Sequence, residues 1–305
     1  MGAVAFVFPG QGSQKAGMAR DLWESAPAAR AVLERADEVL GFPLTRLMFE
    51  GPEEELTATE NAQPAIVAHS AACLALLEAK GLKPALTAGH SLGEYAAVAA
   101  AGALGFADTI LLVRRRGELM ARVGRQVGGT MAAIIGLDPP VVEEVCSRAQ
   151  EVGSVVVANY NCPGQIVISG EAGAVSEAMR LAKEGGAKRA VPLRVSGAFH
   201  SPLMAPAAPE MRALLGAAPF TDAAVPVVSN VDATPRSDAE GIRDALARQI
   251  TGSVLWEQSV RVMLDQGIDT FIEVGPGTVL SGLVRRIAPE AQVRCAGTAE
   301  EIAAL

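Results

Sequence analysis

Residues 86–103 read LTAGHSLGEYAAVAAAGA, and this stretch decides the fold. Its first four residues predict a short buried strand over Leu86–Gly89, and the alanine-rich run that begins at Gly93 predicts a helix over Gly93–Ala103. Gly-His-Ser-Leu-Gly forms the turn between them. A strand, a tight turn and a helix are the unit that α/β proteins repeat around a parallel sheet.

The same alternation continues on both sides of this unit. Upstream and immediately downstream, a strand is predicted over Ala3–Phe8 and helices over Ala62–Lys80 and 106–122. After residue 195 it returns, with predicted helices at 202–216, 240–250, 254–266 and 277–288 and strands at Val225–Ser229 and Thr270–Val274. Residues 1–127 and 196–305 therefore predict one large α/β domain with a parallel sheet.

The middle of the chain, residues 128–195, has a different order of elements. The predicted order is strand, helix, strand, strand, helix, strand, at Met131–Gly136, Asp138–Gln150, Val155–Asn159, Gln165–Ser169, Glu171–Glu184 and Ala187–Val195. This βαββαβ order is that of the split, ferredoxin-like motif. We therefore expect a small ferredoxin-like subdomain at 128–195, inserted into the large domain.

Composition excludes several classes of function. The chain has 305 residues and a net charge of −8, so general attraction to nucleic acid or anionic lipid has the wrong sign. The four cysteines are widely spaced, with no histidine at metal-binding spacing, which predicts reduced thiols and no metal. The longest apolar run, 96–107, is too short to span a membrane and no targeting signal is recognised, so a cytoplasmic protein is expected.

Ser91 is the candidate nucleophile. G-x-S-x-G between a strand and a helix is the context of the nucleophile elbow, so the large domain is expected to be α/β-hydrolase-like. Gly89 and Gly93 would make room where the turn presses against its neighbours, and free N–H groups of the following helix would point at the reacting centre. A strand-to-helix turn that merely contains a serine is the alternative.

A serine hydroxyl needs a base, and the chain has three histidines. His69 lies on a predicted apolar helix and His90 diverges from Ser91 along its strand, which leaves His200. It precedes a Ser-Pro pair typical of a helix N-terminus, where the helix dipole keeps the imidazole neutral. A surface-loop histidine is the alternative.

No acidic residue between Ser91 and His200 is well placed to orient such a base, because the candidates are predicted to cap helices or to lie on them. The helix that ends near Ile250 is followed by Thr-Gly, so carbonyls of its last turn lack helical partners. A backbone carbonyl near Gln249 could therefore orient the imidazole. Ordinary capping of the helix end is the alternative.

A second glycine-rich turn, FPGQGSQ at 8–14, follows the first predicted strand. It lacks the third glycine of a dinucleotide fingerprint and the Gly-Lys of a P-loop, so a phosphate cradle is not expected. A loop that leaves the carboxyl end of a parallel strand would face the same crevice as Ser91. An N–H near Gln11 could therefore join that of Leu92 in an oxyanion hole.

Three consecutive arginines, 114–116, lie in the predicted helix at 106–122. Since three successive positions spread over about 200° of a helical turn, we expect one of them to point inwards. A partly buried guanidinium offers a planar fork that holds a carboxylate through two hydrogen bonds. A structural ion pair with an Asp or Glu is the alternative.

Nine motifs follow one another along nearly the whole chain: FPGQGSQ (8–14), NAQPAI (61–66), GHSLGE (89–94), RRRGELM (114–120), MAAIIGL (131–137), NYNCPGQIVISG (159–170), GAFHSPLM (197–204), VPVVSNVD (225–232) and EVGPGTVL (273–280). In sequence and in order they resemble those of malonyl-CoA:acyl carrier protein transacylases, with the acyltransferase domains of polyketide and fatty acid synthases as close relatives. Together they are far more specific than a lone G-x-S-x-G. One departure is Cys162, where close relatives often carry Ser.

The resemblance implies catalytic roles for the candidate residues. In the family the serine becomes acylated, the histidine is its general base and acid, a glutamine main-chain carbonyl orients that histidine, and two N–H groups form the oxyanion hole. The matching positions are Ser91, His200, Gln249, Gln11 and Leu92.

The resemblance also implies how the acyl group is chosen. Arg116, which precedes Gly-x-x-Met, grips the malonyl carboxylate. Phe199 accompanies malonyl selection, whereas relatives that select methylmalonyl often carry a small residue there. Asn161 and Gln63 are implied as residues that line the pocket.

The implied reaction is a ping-pong acyl transfer in fatty acid biosynthesis that needs no metal or redox cofactor. Malonyl-CoA acylates the serine, CoA leaves, and the phosphopantetheine thiol of holo acyl carrier protein takes the malonyl group. The family's carrier is typically acidic, and candidates for a local basic patch are Lys183, Lys188, Arg189, Arg285 and Arg286. Two alternatives stay open: a transferase that serves polyketide assembly in trans, and a serine thioesterase or hydrolase, against which the missing triad acid argues.

Overall fold

A computed structural model describes residues 2–305, which form an α/β fold with two sheets. Its strands are β1 Ala3–Phe8, β2 Leu86–Gly89, β3 Thr130–Ile135, β4 Val155–Cys162, β5 Gln165–Gly170, β6 Arg189–Pro192, β7 Val227–Val228, β8 Pro235–Arg236, β9 Ile268–Val274 and β10 Gln292–Ala296. Its helices are α1 Arg20–Ser25, α2 Pro27–Leu40, α3 Leu44–Glu50, α4 Glu53–Thr57, α5 Thr59–Ala79, α6 Gly93–Ala100, α7 Phe106–Val127, α8 Pro139–Ala149, α9 Ala172–Glu184, α10 Ala208–Ala217, α11 Ala239–Gln249, α12 Trp256–Asp265, α13 Val279–Ile287 and α14 Ala299–Ala303.

The larger sheet has the strand order β10-β9-β1-β2-β7-β8. Its neighbouring strands are parallel except for β7 and β8, which confirms the predicted parallel sheet. Phe8 at the end of β1 lies opposite Gly89 at the end of β2. The turns that follow these two strands therefore emerge at the same edge of the sheet, which is where open α/β sheets bind their ligands.

Alternation along β1 explains why helices cover both faces of this sheet. Phe6 and Phe8 belong to one apolar cluster, whereas Ala5 and Val7 belong to another on the opposite face. Successive side chains of a strand point to opposite faces, so a strand that is apolar throughout must be buried on both. Burying each phenylalanine stabilises the fold by roughly 1.5–3 kcal/mol, which anchors the strand that precedes the Gln11 turn.

The smaller sheet is antiparallel, with the order β4-β5-β3-β6. Its elements follow the order predicted for residues 128–195, and α8 and α9 pack on it through an apolar cluster. The N–H of Tyr160 in β4 donates to the Val254 carbonyl at 2.9 Å, and the N–H of Val254 donates to the Ala158 carbonyl at 2.8 Å. These bonds tie the smaller sheet to the segment between α11 and α12.

Several predicted boundaries differ from the structure. Four helices between residues 20 and 57, the strands β8 and β10, and α14 were not predicted. The helix expected at 202–216 begins as a 3₁₀ helix, Pro202–Ala207, because Pro206 cannot donate the N–H that a continuous α-helix needs. The strand expected over Ala187–Val195 is limited to the four residues of β6.

Helix α5 has the length and the hydropathy of a membrane span. However, 67% of its most apolar window is buried inside the fold. Residues 62–70 are all buried, including the polar side chains of His69 and Ser70. This burial is that of a core helix. Within residues 2–305 it is the only helix that meets both criteria.

Candidate active site

The turn that carries Ser91 is tightly packed. Ser91 has φ 52°, a left-handed conformation that is costly for residues other than glycine. A Cβ atom on Gly89 would lie 2.0 Å from the backbone of Gly93, and one on Gly93 would lie 2.0 Å from the carbonyl oxygen of Phe8. Both positions therefore require glycine, as the sequence predicted, and the turn presses directly on the end of β1.

Ser91 contacts His200. Its Oγ lies 2.6 Å from Nε2 of the histidine, which is 4% exposed. Burial, and then the charge of Arg116, lower the pKa of His200 to about 3, so the ring is neutral near pH 7. A neutral base was predicted from the dipole of an α-helix, but the segment that follows is a 3₁₀ helix, and burial with a nearby cation gives the same result.

The other nitrogen of His200 faces the end of α11. Its Nδ1 lies 3.0 Å from the carbonyl oxygen of Gln249 and 3.2 Å from that of Gly252. Because carbonyls only accept hydrogen bonds, Nδ1 carries the proton and Nε2 is left to accept from Ser91. Helix capping uses a different carbonyl, that of Arg248, which accepts from the N–H of Gly252.

One of the three consecutive arginines points inwards, as expected. Arg116 is 1% exposed, whereas the side chain of Arg115 is 54% exposed. Nη2 of Arg116 donates to Ser91 Oγ at 3.1 Å and to Gln249 Oε1 at 2.9 Å, and Nη1 donates to Gln63 Oε1 at 2.9 Å. Burial lowers the pKa of this guanidinium, which stays protonated at neutral pH.

The buried guanidinium has no direct acidic partner. Among residues 2–305, no carboxylate oxygen lies within 4.0 Å of Arg116, so the structural ion pair considered above is not formed. Its Nε has no hydrogen-bond acceptor in that same range. Since a buried charge is stable only when it is paired and hydrogen-bonded, this arrangement favours binding of an anion.

Two further buried residues hold the turn, and neither was predicted from the sequence. Asn230, just after β7, accepts from the Ser91 N–H at 2.7 Å and donates to the Gly89 carbonyl at 2.7 Å. Glu94 accepts from the Gln249 side chain at 2.6 Å and from the Asn230 N–H at 3.2 Å. Burial raises the pKa of Glu94 to about 7. The signal available in the sequence was a polar residue at the carboxyl end of a strand and an acid in the first turn of an apolar helix.

A cavity of about 340 Å³ opens beside Ser91. Most predicted site residues line it, and these are Gln11, Ser91, Leu92, Arg116, Asn161, Phe199 and His200. Gln63 and Gln249 are not part of the lining, and instead contact Arg116 from behind the wall. The N–H groups of Gln11 and Leu92 have no acceptor in the described part of the chain, as the predicted oxyanion hole requires.

The other two histidines form hydrogen bonds with groups other than Ser91. His90 Nε2 lies 2.9 Å from Oδ1 of Asn161, and His69 Nε2 lies 2.7 Å from the carbonyl of Gly297. Burial lowers the pKa of both rings, that of His69 to about 4. In residues 2–305 there is no group of three or more His, Cys, Asp or Glu side chains that could hold a metal ion.

Comparison with known proteins gives consistent matches along the chain. The model of the acyl transferase domain matches residues 5–300. The malonyl CoA-acyl carrier protein transacylase of Bacillus subtilis (strain 168) is 50% identical over 288 residues, which cover 94% of this chain and 91% of that protein.

Solved structures agree with this match. The acyl-carrier-protein-S-malonyltransferase from Bartonella henselae has a TM-score of 0.96 and 47% identity, and the match covers 99% of this chain and 98% of that one. A type II PKS acyl-carrier protein in complex with its malonyl-transacylase also gives a TM-score of 0.96, at 41% identity and the same coverage. The similarity therefore extends to the whole fold.

Proposed function

The chain belongs to the acyl transferase domain family, and from this membership we propose that it transfers the malonyl group of malonyl-CoA to the phosphopantetheine thiol of holo acyl carrier protein in fatty acid biosynthesis. One observation carries the choice of substrate. A buried arginine without a carboxylate partner lies 3.1 Å from the hydroxyl of Ser91, which also contacts a buried histidine. A thioester with a free carboxylate, such as malonyl-CoA, fits both groups.

In the first half-reaction, Ser91 Oγ attacks the thioester carbonyl and passes its proton to Nε2 of His200. The N–H groups of Gln11 and Leu92 stabilise the oxyanion of the tetrahedral intermediate. When this intermediate collapses, the C–S bond breaks and CoA leaves with the proton that His200 held. The product is malonyl-Ser91.

In the second half-reaction, the thiol of the carrier gives its proton to His200 and its sulfur attacks the malonyl-serine carbonyl. The C–O bond to Ser91 then breaks and the serine recovers the proton from His200. CoA and the carrier use the same cavity in turn, since each delivers or removes the acyl group at one serine. This sequential use of one site is a ping-pong mechanism.

The neutral carbonyl of Gln249 orients His200 where a triad hydrolase would use a carboxylate. A carbonyl stabilises the imidazolium less than a carboxylate does, because it has no net charge. CoA leaves as a thiolate that needs little protonation, and the carrier thiol loses its proton far more readily than water does, so a weaker base is sufficient for both half-reactions. This supports transfer between thiols over hydrolysis.

The wall residues select the acyl group. Arg116 binds the malonyl carboxylate through its planar fork, and Gln63 holds the guanidinium from behind. Phe199, which is 5% exposed and lines the cavity beside His200, occupies the volume that an α-methyl group would need. Asn161 contributes a polar wall that it shares with His90.

A second carrier remains a candidate. The similar complex of a type II PKS acyl-carrier protein with its malonyl-transacylase favours a transferase for polyketide assembly as the alternative, with the same catalytic residues. A thioesterase is not favoured, because His200 is oriented by carbonyls.

The finer features of the fold belong to the same proposal. Residues 1–127 and 196–305 would form an α/β-hydrolase-like domain and residues 128–195 a ferredoxin-like insertion, in which the antiparallel sheet supports the Asn161 wall. We propose that the enzyme acts in the cytoplasm without a cofactor. Five exposed basic side chains would contact the acidic carrier protein, and these are Lys183, Lys188, Arg189, Arg285 and Arg286.

Intact-mass measurement tests the proposed function. After mixing with malonyl-CoA, the protein should gain one malonyl group, keep it in buffer, and lose it when holo carrier protein is added. Loss of the adduct in buffer alone would identify a hydrolase. Parallel reactions with fatty acid and polyketide carriers decide between the two kinds of transferase.

A further inference from the structure

The side chain of Gln249 joins three parts of the site. Its Oε1 accepts from Arg116 Nη2 at 2.9 Å, while its Nε2 donates to the Ser91 carbonyl at 2.8 Å and to Oε2 of Glu94 at 2.6 Å. The backbone carbonyl of the same residue accepts from His200. One fully buried glutamine therefore contacts the nucleophile turn, the base and the arginine.

These contacts agree on one orientation of the amide. Arg116 can only donate, so it requires Oε1, and the Ser91 carbonyl can only accept, so it requires Nε2. Glu94 accepts the shortest of these bonds, and a bond to a carboxylate is about twice as strong as one between neutral groups. On the Nε2 side of the amide, where the other acceptors are neutral oxygens, Glu94 is therefore the strongest partner.

Glu94 is itself fixed. It is 1% exposed, lies in the first turn of α6, and its Oε2 also accepts from the Asn230 N–H at 3.2 Å. It does not line the cavity beside Ser91, so it does not contact the substrate. An effect on the reaction must pass through Gln249, through Asn230, or through the charge of Glu94. Because Asn230 holds the Ser91 turn, the route through Asn230 would slow malonyl and acetyl transfer alike.

We propose that Glu94 is a positioning residue, which anchors the amide of Gln249 and through it sets Arg116 for the substrate carboxylate. This rests on the proposed function, since Arg116 matters only if the acyl group carries a carboxylate. Without the anchor, Nε2 keeps only the Ser91 carbonyl and a long contact of 3.5 Å with Asn230 Oδ1, so the amide can turn and Arg116 can move with it away from the cavity. Transfer of malonyl should suffer more than transfer of acetyl.

A purely electrostatic role predicts the opposite. At pH 8, the pH of the test below, Glu94 with its pKa of about 7 is mostly ionised. Removing this negative charge near Arg116 leaves the cation less compensated and would strengthen its attraction for malonyl. The ratio of malonyl to acetyl transfer therefore separates the two roles. Anchoring predicts that the ratio falls in Glu94→Met, whereas a charge effect alone predicts that it rises.

The test uses full-length variants and both CoA esters at pH 8. We expect Glu94→Met to lose roughly 10- to 100-fold in malonyl transfer with a lower malonyl-to-acetyl ratio, as for a lost buried bond to a charged group. Glu94→Gln, which keeps an acceptor oxygen of the same reach, should stay within about threefold of wild type. Equal rises of the ratio in both variants would overturn the proposal.

The double variant of Glu94 and Gln249 provides a second test, because substitutions that act through one contact have non-additive effects on the rate. Gln249→Met removes the amide but keeps the backbone carbonyl that orients His200, so adding Glu94→Met to it should cost little more. Additive losses would contradict the proposal. If Glu94→Met does not fold, Glu94→Asp keeps the charge and withdraws the oxygen by one methylene; anchoring predicts a lower ratio for it, and an unchanged ratio would count against anchoring.

Glu273 provides the matched control. It is also buried and accepts from the N–H groups of Leu280 and Ser281 at 3.0 and 2.7 Å, but it does not contact Gln249. Glu273→Met should lower stability without lowering the malonyl-to-acetyl ratio, and a ratio that fell as far as in Glu94→Met would count against the proposal. A wild-type chain that transfers no malonyl to the carrier would contradict the proposed function instead, whatever the variants do.

Discussion

Ser91 and His200 share an unusual backbone conformation: both have positive φ, 52° and 55°, and their side chains meet at 2.6 Å. Two residues with left-handed backbone in one contact store strain at the reacting centre. The surrounding packing maintains it, through glycines on one side of the turn and Asn230 on the other. Strain at this position has consequences for stability as well as for activity.

Removing the nucleophile should abolish the adduct and alter stability according to the backbone. Ser91→Ala and Ser91→Gly should both show no malonyl mass increase with malonyl-CoA. Because glycine adopts positive φ without a steric penalty, Ser91→Gly should be more stable than Ser91→Ala by about 1 kcal/mol. Denaturant unfolding of the pair checks this, and a labelled Ser91→Ala protein would refute the assignment of the nucleophile.

Loss of the base should slow both half-reactions. His200→Ala is expected to reduce the rates of CoA release and of transfer to the carrier by roughly 10²- to 10⁴-fold, the usual contribution of a positioned acid–base group. Single-turnover kinetics measure each step separately. His69→Ala is a control for loss of a buried histidine outside the site, and near-normal rates in His200→Ala would show that another base operates.

Burial of His200 should also appear in the pH dependence of stability. Its folded pKa of about 3 lies below the ordinary value of 6.5, so the unfolded chain binds a proton that the native state does not. This contribution is complete above pH 6.5 and is lost progressively as the pH falls from 6.5 towards 3. Between pH 7.5 and 5.5 the wild type should lose about 1 kcal/mol more than His200→Asn. Denaturant unfolding at both pH values measures this, and identical slopes would contradict a depressed pKa.

Arg116 should control the preference for a carboxylate. Arg116→Ala is expected to reduce malonyl transfer by roughly 100-fold or more, since it removes one partner of a buried ion pair in the malonyl-enzyme. Acetyl transfer should change much less, which narrows the gap between the two esters. Arg115→Ala, a change at an exposed neighbour, is the matched control. An Arg116→Ala enzyme that keeps the full malonyl-to-acetyl ratio would disprove the carboxylate contact.

Phe199 should control the exclusion of a methyl group. In the wild type, one methyl group can be discriminated by about 1–3 kcal/mol, so the preference for malonyl over methylmalonyl is incomplete. Phe199→Ser is expected to reduce this preference and to keep malonyl transfer. Phe220→Ser removes a buried ring that does not line the cavity, and so controls for lost core packing. Competition between the two CoA esters measures the preference. An unchanged preference in Phe199→Ser would show that Phe199 does not exclude the methyl group.

Much of the fold could be predicted because its signals are local. The strands β1 and β2 match their predicted bounds, since short apolar runs ended by glycine turns have few other readings. The four helices between residues 20 and 57 were not predicted, because all but α2 have at most 7 residues and the apolar residues of all four pack against partners distant in sequence. Strand β10 alternates weakly and exists because it pairs with β9.

The site residues also divide into those with a local sequence signal and those that depend on contacts between distant parts of the chain. Ser91 could be identified from its turn, and His200 by elimination among three histidines. The contacts of Glu94 and Asn230 could not, because they join residues more than 130 positions apart in the chain. Which of the three consecutive arginines is buried also depends on how α7 packs against α5, which no local pattern specifies.

The group that orients the base is a main-chain carbonyl, and a carbonyl is present in every amino acid. A carboxylate in that place could be lost through one codon change, whereas no side-chain substitution at position 249 deletes the atom that His200 contacts. The orientation of the proposed base therefore depends on the backbone at position 249, whereas the contact with Arg116 depends on the side chain. A substitution that leaves the helix end in place would change the arginine contact and keep the acceptor that fixes the tautomer of the histidine.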